Sequence, residues 1–372
     1  KVKILARQWW DLIFVVAMSS CAALEQPVLW RCVDAETMDV GAYMRRIGFA
    51  AGERGWHRGD DVVVAQGGQG GPEALSAIIR AHIDAVPFEN FDTYGGKRRI
   101  EELSVRAAYE KIVVRRRGGF CYEVNLLLGW LLRRLGFEAR YCLGRVFRGT
   151  QADEVLPAGD DIVLPTVELW GGSDKPPTHC MVIVDETWIC DVGFGEPPRI
   201  PLDLTTAEVQ WDGQHAFRVR SNGEGIWAVD RRSRGAPGLN AISSTPGTWE
   251  PRVAIDIALD RPPTDFKAGL DRVQVDETLI FKMFLMAVRM ADDRKLVLTG
   301  TRLRITPFYD DDLQTAADVL PARIELDHDT ADDLIKTLET HFGIDVHDDA
   351  EGPIIRGAVD HAFVVKAKAA AA

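Results

Sequence analysis

The hydrophobic pattern of this 372-residue chain changes at Gly136. Upstream of it, from Met38 onward, apolar residues recur at the three- and four-residue spacing of a buried helix face. Downstream, short β-rich segments separated by Gly, Pro and Asp continue as far as Leu259. Segregated helices and strands are typical of the α+β class, and strands this short favour a sandwich or a barrel. We therefore predict a helical domain over residues 38–138 and a β domain over residues 139–260.

The last third of the sequence mixes both patterns after a boundary at Pro262-Pro263. The spacing of apolar residues predicts a helix over Thr278–Met290 and a pair of strands over Lys295–Ile305. Another helix is predicted to begin at Thr330, which has capping-box spacing to an acidic residue, and to end at Gly343. Together these elements predict a third domain of the α/β type.

The two ends of the chain carry weaker signals. The α/β domain is predicted over residues 261–346 and a C-terminal tail over residues 347–372, with Lys366–Ala372 frayed. Residues 1–37 form an N-terminal extension of unclear status. Its apolar run, Leu12–Met18, is far shorter than the roughly 20 residues that a membrane span needs, so no membrane association is expected.

Charge and cysteine usage exclude several classes of function. The formal net charge of −12 argues against a nucleic-acid partner, because such proteins usually carry a basic face. The six cysteines form neither a CxxC pair nor a compact disulfide framework, so we predict a reduced, cytoplasmic protein. No zinc signature occurs, and no metal is expected. The oligomeric state stays open.

A loop with two adjacent glycines leads into a leucine-rich helix, and Cys121 lies at the junction. Gly118 and Gly119 free the backbone angles of this turn and allow another molecule to come close to the main chain. In the first turn of a helix the aligned peptide dipoles favour negative charge, and so favour a thiolate over a thiol. A cysteine before such a helix is more often a small core residue, so its role as a nucleophile depends on a nearby base.

A nucleophilic cysteine needs a base, and the base needs a group that orients it. Of the eight histidines, His179 differs from the others because it begins a predicted strand instead of lying on a helix face or in an acidic surface stretch. If Asp185-Glu186 forms a two-residue turn, Val184 faces Thr187, and His179 and Asp191 fall at the same end of a hairpin. A buried aspartate there would accept the imidazole N–H and fix its tautomer. The sequence thus predicts a Cys-His-Asp arrangement.

Several motifs resemble the signature of the arylamine N-acetyltransferases. The long and specific ones are Arg117-Gly-Gly-Phe-Cys-Tyr-Glu-Val-Asn125, Thr178-His179 and Asp191-Val-Gly-Phe-Gly195. Shorter matches are Tyr43-Met-Arg-Arg-Ile-Gly48, Pro87-Phe-Glu-Asn90, Gly144-Arg-Val146 and Pro198-Arg-Ile-Pro-Leu202. The motifs occur in the expected order, and the resemblance covers residues 38–346.

The resemblance implies a helical bundle, a β-barrel and an α/β lid around a Cys-His-Asp core like that of transglutaminases and cysteine proteases. It implies acetyl transfer from acetyl-CoA, the acyl donor, to an arylamine, arylhydrazine or N-hydroxyarylamine by a ping-pong mechanism through an acetyl-cysteine. In these terms Cys121 is the nucleophile, His179 the base and Asp191 the residue that orients the base.

The same resemblance suggests further site residues. Phe120, Thr178 and Phe194 flank the catalytic motifs and are the expected substrate-binding residues. The two phenylalanine rings would stack on an aromatic amine, although core packing explains them equally well. An ion pair between Glu89 and Arg117 is expected behind the cysteine.

The chain also departs from the compact bacterial pattern of this family. A glycine-rich insert lies at about residues 58–72, and the loop Gly149–Pro177 before His179 is long and acidic. No phosphate-binding motif is evident, so the residues that would hold the coenzyme A nucleotide stay unassigned. Two other functions remain compatible with the sequence: an amide synthase acting on a carrier-bound acyl chain, and a non-catalytic binding protein of the same fold.

Overall fold

The structure of the protein is a computed structural model that describes residues 38–52, 55–58, 61–63, 71–96, 98–147, 176–232, 247–258, 260–291, 293–308 and 323–371. The elements named below belong to one unit, Val40–Ala372. The N-terminal extension over 1–37, most of the acidic loop before His179 and most of the glycine-rich insert lie outside the described residues.

The segment from residue 40 to residue 134 combines helices with short strands. Its elements are α1 (Val40–Arg46), β1 (Ala50–Gly52), β2 (Gly55–Arg58), β3 (Asp61–Val63), α2 (Gly71–Ala85), β4 (Phe88–Glu89), α3 (Val105–Tyr109), a π-helical turn (Glu110–Val114) and α4 (Cys121–Arg134). Strands β1, β2 and β3 form a small antiparallel sheet that the helical pattern did not predict.

Helix α4 lies at the centre of this segment. Its side chains Leu126, Leu127 and Leu131 are completely buried. Gly136 follows the helix with φ +95°, a left-handed conformation that glycine adopts at little cost. The sequence-based expectation of a buried helix from Cys121 to this glycine is therefore confirmed.

The middle of the chain forms an eight-stranded antiparallel sheet. Its strands are β5 (Ala139–Val146), β6 (His179–Val184), β7 (Trp188–Cys190), β8 (Leu202–Asp203), β9 (Gln210–Trp211), β10 (Ala216–Ser221), β11 (Ile226–Arg232) and β12 (Trp249–Asp256). They are arranged in the order β8-β7-β6-β5-β12-β11-β10-β9.

The two edges of this sheet meet through one side chain. Gln210 in β9 accepts a hydrogen bond from the backbone N–H of Asp203 in β8 (2.7 Å) and donates to the Asp203 carbonyl (3.0 Å). The side-chain amide thus replaces the backbone hydrogen bonds that would otherwise join β8 to β9, and the sheet is a nearly closed barrel. Apolar side chains such as Met181, Phe217 and Val253 pack together in its core.

The hairpin of β6 and β7 differs from the prediction by one residue. Val184 lies opposite Trp188, not Thr187, so the loop contains three residues. Asp185 and Glu186 have φ angles of +50° and +52°, and the turn is closed by a hydrogen bond from Thr187 N to Val184 O (3.0 Å). The register error leaves His179 and Asp191 at the same end of the hairpin, as predicted.

The last third of the chain contains a second large sheet and four α-helices within the residues that the structure describes. They are α5 (Lys267–Val275), α6 (Ile280–Met283), β13 (Met286–Met290), β14 (Arg294–Thr299), β15 (Arg302–Pro307), β16 (Ile324–Asp327), α7 (Ala331–Phe342) and α8 (Gly352–Ala371). The strand order is β16-β15-β14-β13-β4, so this sheet includes β4 from the first part of the chain.

The helix predicted over Thr278–Met290 is wrong. Only Ile280–Met283 is helical, and Met286–Met290 is a strand. Met286, Ala287 and Val288 pair with β14 on one side, and two of these residues also pair with β4 on the other. Tertiary pairing therefore overrides the local preference of these residues for helix. The paired strands and the cap residues Thr330 and Gly343 are confirmed.

The C-terminal tail predicted over residues 347–372 is instead mostly helix α8. Ile355, Val359 and Ala362 are buried at i, i+4 and i+7 and join the core of the second sheet with Phe342. The expectation that Lys366–Ala372 is frayed is also wrong, since the helix continues to Ala371. Within the described ranges, no helix has the length and apolar character needed to cross a bilayer.

Candidate active site

Cys121 is the first residue of α4. The backbone before it is held in place, because the carboxylate of Glu123 accepts a hydrogen bond from Phe120 N (3.2 Å). The Cys121 side chain is buried, and its Sγ lies 3.5 Å from the carbonyl oxygen of Thr178. The thiol therefore faces the N-terminal residues of β6 from the positive end of a helix dipole.

His179 and Asp191 meet at the end of the barrel nearest α4. The His179 Nε2 atom lies 2.8 Å from Asp191 Oδ2, and His179 and Cys121 line the same cavity. The Asp191 Oδ1 atom accepts hydrogen bonds from Gly193 N (2.7 Å) and from the side chain of Asn125 (2.8 Å). The structure thus brings together the three residues predicted from the sequence.

The charges around His179 favour its protonated form. Burial alone would disfavour a charged ring, but the Asp191 carboxylate, which hydrogen-bonds to the ring, and the neighbouring Cys121 raise the pKa of His179 to about 10. At neutral pH the ring is therefore an imidazolium. A positive charge beside a cysteine favours the thiolate, which is the nucleophilic form.

Asn125 is a site residue that sequence reasoning missed. Its Nδ2 donates to Cys180 O (2.7 Å) as well as to Asp191, and its Oδ1 accepts from Val192 N (2.9 Å). The side chain therefore joins α4 to both strands of the hairpin. The available signal was its spacing, because residues i and i+4 lie on the same helix face and Asn125 is four residues after Cys121.

The close fit of the hairpin against α4 depends on Gly193. A Cβ atom at this position would lie 2.5 Å from Cys121 Cα and 2.8 Å from Asn125 Nδ2. We expect Gly193→Ala to lower the free energy of unfolding by about 1–3 kcal/mol and to reduce the rate of Cys121 alkylation by iodoacetamide roughly 100-fold, because the cysteine must shift. Thermal unfolding and alkylation kinetics measure the two effects.

Gly223→Ala is the matched control for this prediction. Gly223 differs from Gly193 in its backbone, which has φ +78°, but a Cβ there meets nothing within 4 Å. This variant should lose some stability and keep the wild-type rate. Equal rates in both variants would contradict the proposed steric role of Gly193.

A cavity of about 430 Å³, including the space at its mouth, opens beside the cysteine. It is lined by Phe88, Cys121, Val146, Thr178, His179, Gly193, Phe194, Ile280, Phe281 and Met286. Two of the three predicted substrate-binding residues, Thr178 and Phe194, line it. The third, Phe120, is buried behind the cavity, where its ring packs edge-on against Tyr122 and Phe281.

The aromatic wall of the cavity comes partly from the last third of the chain. Asn90 holds this wall, since its Nδ2 donates to the carbonyl oxygens of Phe281 (2.9 Å) and Phe284 (2.8 Å) and its Oδ1 accepts from Met286 N (2.8 Å). Phe281 could not be assigned from the sequence, because the pattern there was read as an uninterrupted helix. The cavity is apolar and aromatic around a polar reaction centre.

A buried network of charges lies behind the cysteine loop. The expected ion pair is present: Arg117 is fully buried and its Nη2 lies 2.8 Å from Glu89 Oε1. Arg117 also contacts Asp92 (3.2 Å) and Glu351, and Lys111 lies between Asp92 and Glu123. Removing one partner from such a network typically costs about 3–5 kcal/mol, because a charge is left buried.

The other described cysteines have a different environment. Burial raises the pKa of Cys142, Cys180 and Cys190, so all three favour the neutral thiol. Cys121 differs from them in its place at a helix N-terminus beside a protonated histidine.

The chain as a whole is similar to known proteins. A family model described as N-acetyltransferase matches residues 73–350. Arylamine N-acetyltransferase of Mycolicibacterium smegmatis is 28% identical over 314 residues, which cover 84% of this chain and 94% of that protein. Arylamine N-acetyltransferase 2 of Mus musculus is 31% identical over 211 residues, covering 56% of this chain and 61% of that protein.

Solved structures agree with the sequence comparisons. M. smegmatis arylamine N-acetyltransferase superposes with a TM-score of 0.63 at 26% identity, covering 87% of this chain and 98% of that one. Mycobacterium marinum arylamine N-acetyltransferase in complex with CoA superposes with a TM-score of 0.62 at 26% identity, covering 87% of this chain and 99% of that one.

Proposed function

This chain belongs to the arylamine N-acetyltransferase family, and we propose that it moves the acetyl group of acetyl-CoA to the nitrogen of an arylamine, arylhydrazine or N-hydroxyarylamine through an acetylated Cys121. One observation carries the proposal. The Cys121 thiol lies at the N-terminus of α4 beside a histidine that Asp191 keeps protonated, at the wall of an apolar aromatic cavity.

The first half-reaction acetylates the enzyme. The Cys121 thiolate attacks the carbonyl carbon of the thioester, and the bond from that carbon to the coenzyme A sulfur breaks. The His179 imidazolium gives its proton to the departing thiolate, so that free coenzyme A leaves as the thiol. One thioester replaces another, and the acetyl group keeps its activation.

The second half-reaction transfers the acetyl group. His179 is now neutral and accepts a proton from the incoming amine while the amine nitrogen attacks the acetyl carbonyl. The Cys121 sulfur leaves as a thiolate and pairs again with the imidazolium. Asp191 acts throughout by holding the ring through Nε2, which leaves Nδ1 as the ring nitrogen that exchanges the proton.

The charge that develops on the acetyl oxygen needs hydrogen-bond donors. The first backbone N–H groups of a helix have no partner within it, and we expect those of Cys121 and Tyr122, the first two residues of α4, to serve as these donors. In a studied protease one such donor contributes about 2.7–4 kcal/mol to the stabilisation of the transition state. The N-terminus of α4 therefore supports both the thiolate and the tetrahedral intermediate.

The shape of the cavity supports an aromatic acceptor. Phe88, Phe194 and Phe281 line its wall, and flat apolar rings stack favourably on such side chains. The reacting nitrogen of an arylamine would then lie next to Cys121 and His179.

Intact-mass analysis tests the proposal. After brief mixing with acetyl-CoA, the protein should gain the mass of one acetyl group, and peptide mapping should place it on Cys121. Addition of a simple arylamine such as aniline should remove the added mass and release the acetanilide. A gain with acetyl-CoA that persists in the presence of every arylamine would favour an amide synthase with another acceptor. No gain with any acyl thioester would favour a non-catalytic protein.

A further inference from the structure

Three arginines from the first part of the chain contact one carboxylate, that of Glu351, which lies in the C-terminal part. Glu351 is 1% exposed, and its Oε1 accepts hydrogen bonds from Arg115 (2.9 Å) and Arg98 (3.2 Å). Its Oε2 accepts a short hydrogen bond from Nη1 of Arg117. A buried carboxylate with this many charged donors is held in a single geometry.

Arg117 divides its donors between two distant parts of the sequence. Its Nε (3.2 Å) and Nη2 (2.8 Å) atoms donate to Glu89, and Nη2 also donates to Asp92 (3.2 Å). Its Nη1 donates to Glu351, which lies 234 residues further along the chain. Since the guanidinium is planar and rigid, its orientation depends on both groups of carboxylates.

The loop that begins at Arg117 ends at the cysteine four residues later. It has little freedom, because a Cβ at Gly118 would lie 2.0 Å from the Pro87 carbonyl oxygen and Gly119 forms a bridge with Phe88. A shift of Arg117 would therefore be passed along the loop to Cys121.

The segment that carries Glu351 is itself fixed. Asp348 accepts hydrogen bonds from the backbone of Ala350 and Glu351 (both 2.9 Å), which forms a turn immediately before α8. Helix α8 is anchored in the core of the second sheet by Ile355 and Val359. The family model ends at residue 350, so the match does not include Glu351 or α8.

We propose that Glu351 is a positioning residue for the reaction: through Arg117 it holds the loop that places Cys121 at the start of α4, so the reactivity of the cysteine depends on the C-terminal segment. For the acetyl-transfer step the inference rests on the function proposed above. The placement of the thiol can be measured without an acyl donor.

The experiment compares Glu351→Gln with the full-length wild-type protein. The amide keeps the size of the side chain and removes its charge. We measure the second-order rate of Cys121 carbamidomethylation by iodoacetamide, and kcat and KM with acetyl-CoA, at a temperature far below the unfolding transition. We expect the alkylation rate and kcat to fall roughly 10- to 100-fold, as for a misplacement of about 1 Å, with KM changing little.

Glu339→Gln is the matched control. Glu339 lies in α7, and its carboxylate pairs with His347 (2.9 Å) at the surface, so this variant should keep wild-type rates. Glu351→Asp keeps the charge but shortens the side chain by one methylene, and should give intermediate rates. If Glu351→Gln cannot be obtained folded, Glu351→Asp alone decides the question.

The outcomes separate positioning from stability and from the proposed function. Wild-type rates in folded Glu351→Gln, with only a lower melting temperature, would overturn the inference, and so would wild-type rates in Glu351→Asp if that variant stands alone. If the wild-type protein transfers no acetyl group but its alkylation rate still falls in the Glu351 variants, the proposed function fails and the positioning role stands.

Discussion

Replacing Cys121 with alanine is expected to lower kcat/KM for acetyl transfer by at least about 10⁴-fold while the protein stays folded. The other described thiols cannot take over, because burial raises the pKa of Cys142, Cys180 and Cys190. The substitution removes one buried sulfur atom and its contact with Thr178, so the melting temperature should change little. Steady-state kinetics with acetyl-CoA and aniline, together with circular dichroism, measure both quantities.

Cys142→Ala is the control for this result. Cys142 is a buried cysteine in the barrel core, where its Sγ contacts Met181 O (3.7 Å). This variant loses a sulfur atom of the same kind and should keep wild-type kcat/KM. Substantial turnover by Cys121→Ala would show that the acetyl group does not pass through this residue.

Asp191→Asn is expected to lower kcat by about 10³- to 10⁴-fold. In the wild-type protein the carboxylate opposes the effect of burial and raises the pKa of His179 to about 10, so the ring is charged below that pH. Without the carboxylate only burial and the cysteine act on the ring, and the pKa of His179 falls. At pH 7 the ring is then neutral and no longer stabilises the Cys121 thiolate.

The pH dependence of Cys121 alkylation distinguishes this mechanism from a loss of structure. At pH 7 the alkylation rate of Asp191→Asn should be lower than that of the wild-type protein, and the difference should shrink as the pH rises through about 10, where the wild-type His179 ring also loses its charge. Asp212→Asn is the control, since Asp212 is buried and accepts backbone hydrogen bonds from Arg199, Gln214 and His215. It should keep the wild-type profile. An unchanged profile in Asp191→Asn would rule out the electrostatic role.

The parts of the site that follow from local pattern were predictable. An apolar face and a glycine stop define α4, and a hairpin needs only two short strands and a turn. Cys121, His179 and Asp191 could therefore be named from the sequence, even though the turn was assigned one residue too short. Their proximity did not depend on that detail, because both arms of the hairpin end at the same side.

The parts that depend on pairing across the chain were not predictable. Met286–Met290 has a helical pattern and becomes a strand because β4 and β14 lie on either side of it. Phe281 lines the cavity because the helix ends at Met283 and the chain then continues as a strand. Glu351 lies in an acidic stretch whose composition is typical of an exposed surface. Its contacts with the arginines are visible only in the three-dimensional structure. Local spacing contains no information about contacts of this kind.

The pairing of β4 with β13 has a consequence for the synthesis of the protein. Phe88 and Glu89 find their partners Val288 and Ala287 only after about 200 further residues have been made. Contacts between residues this distant in sequence form slowly, because closing the long loop between them costs conformational entropy before any contact energy is gained. Phe88 also bridges the loop before Cys121, so on the ribosome the cysteine emerges long before its surroundings are complete. We expect the thiol of the nascent chain to lack the wall formed by Ile280, Phe281 and Met286 until the last third has been translated, and to be more open to oxidants during that time.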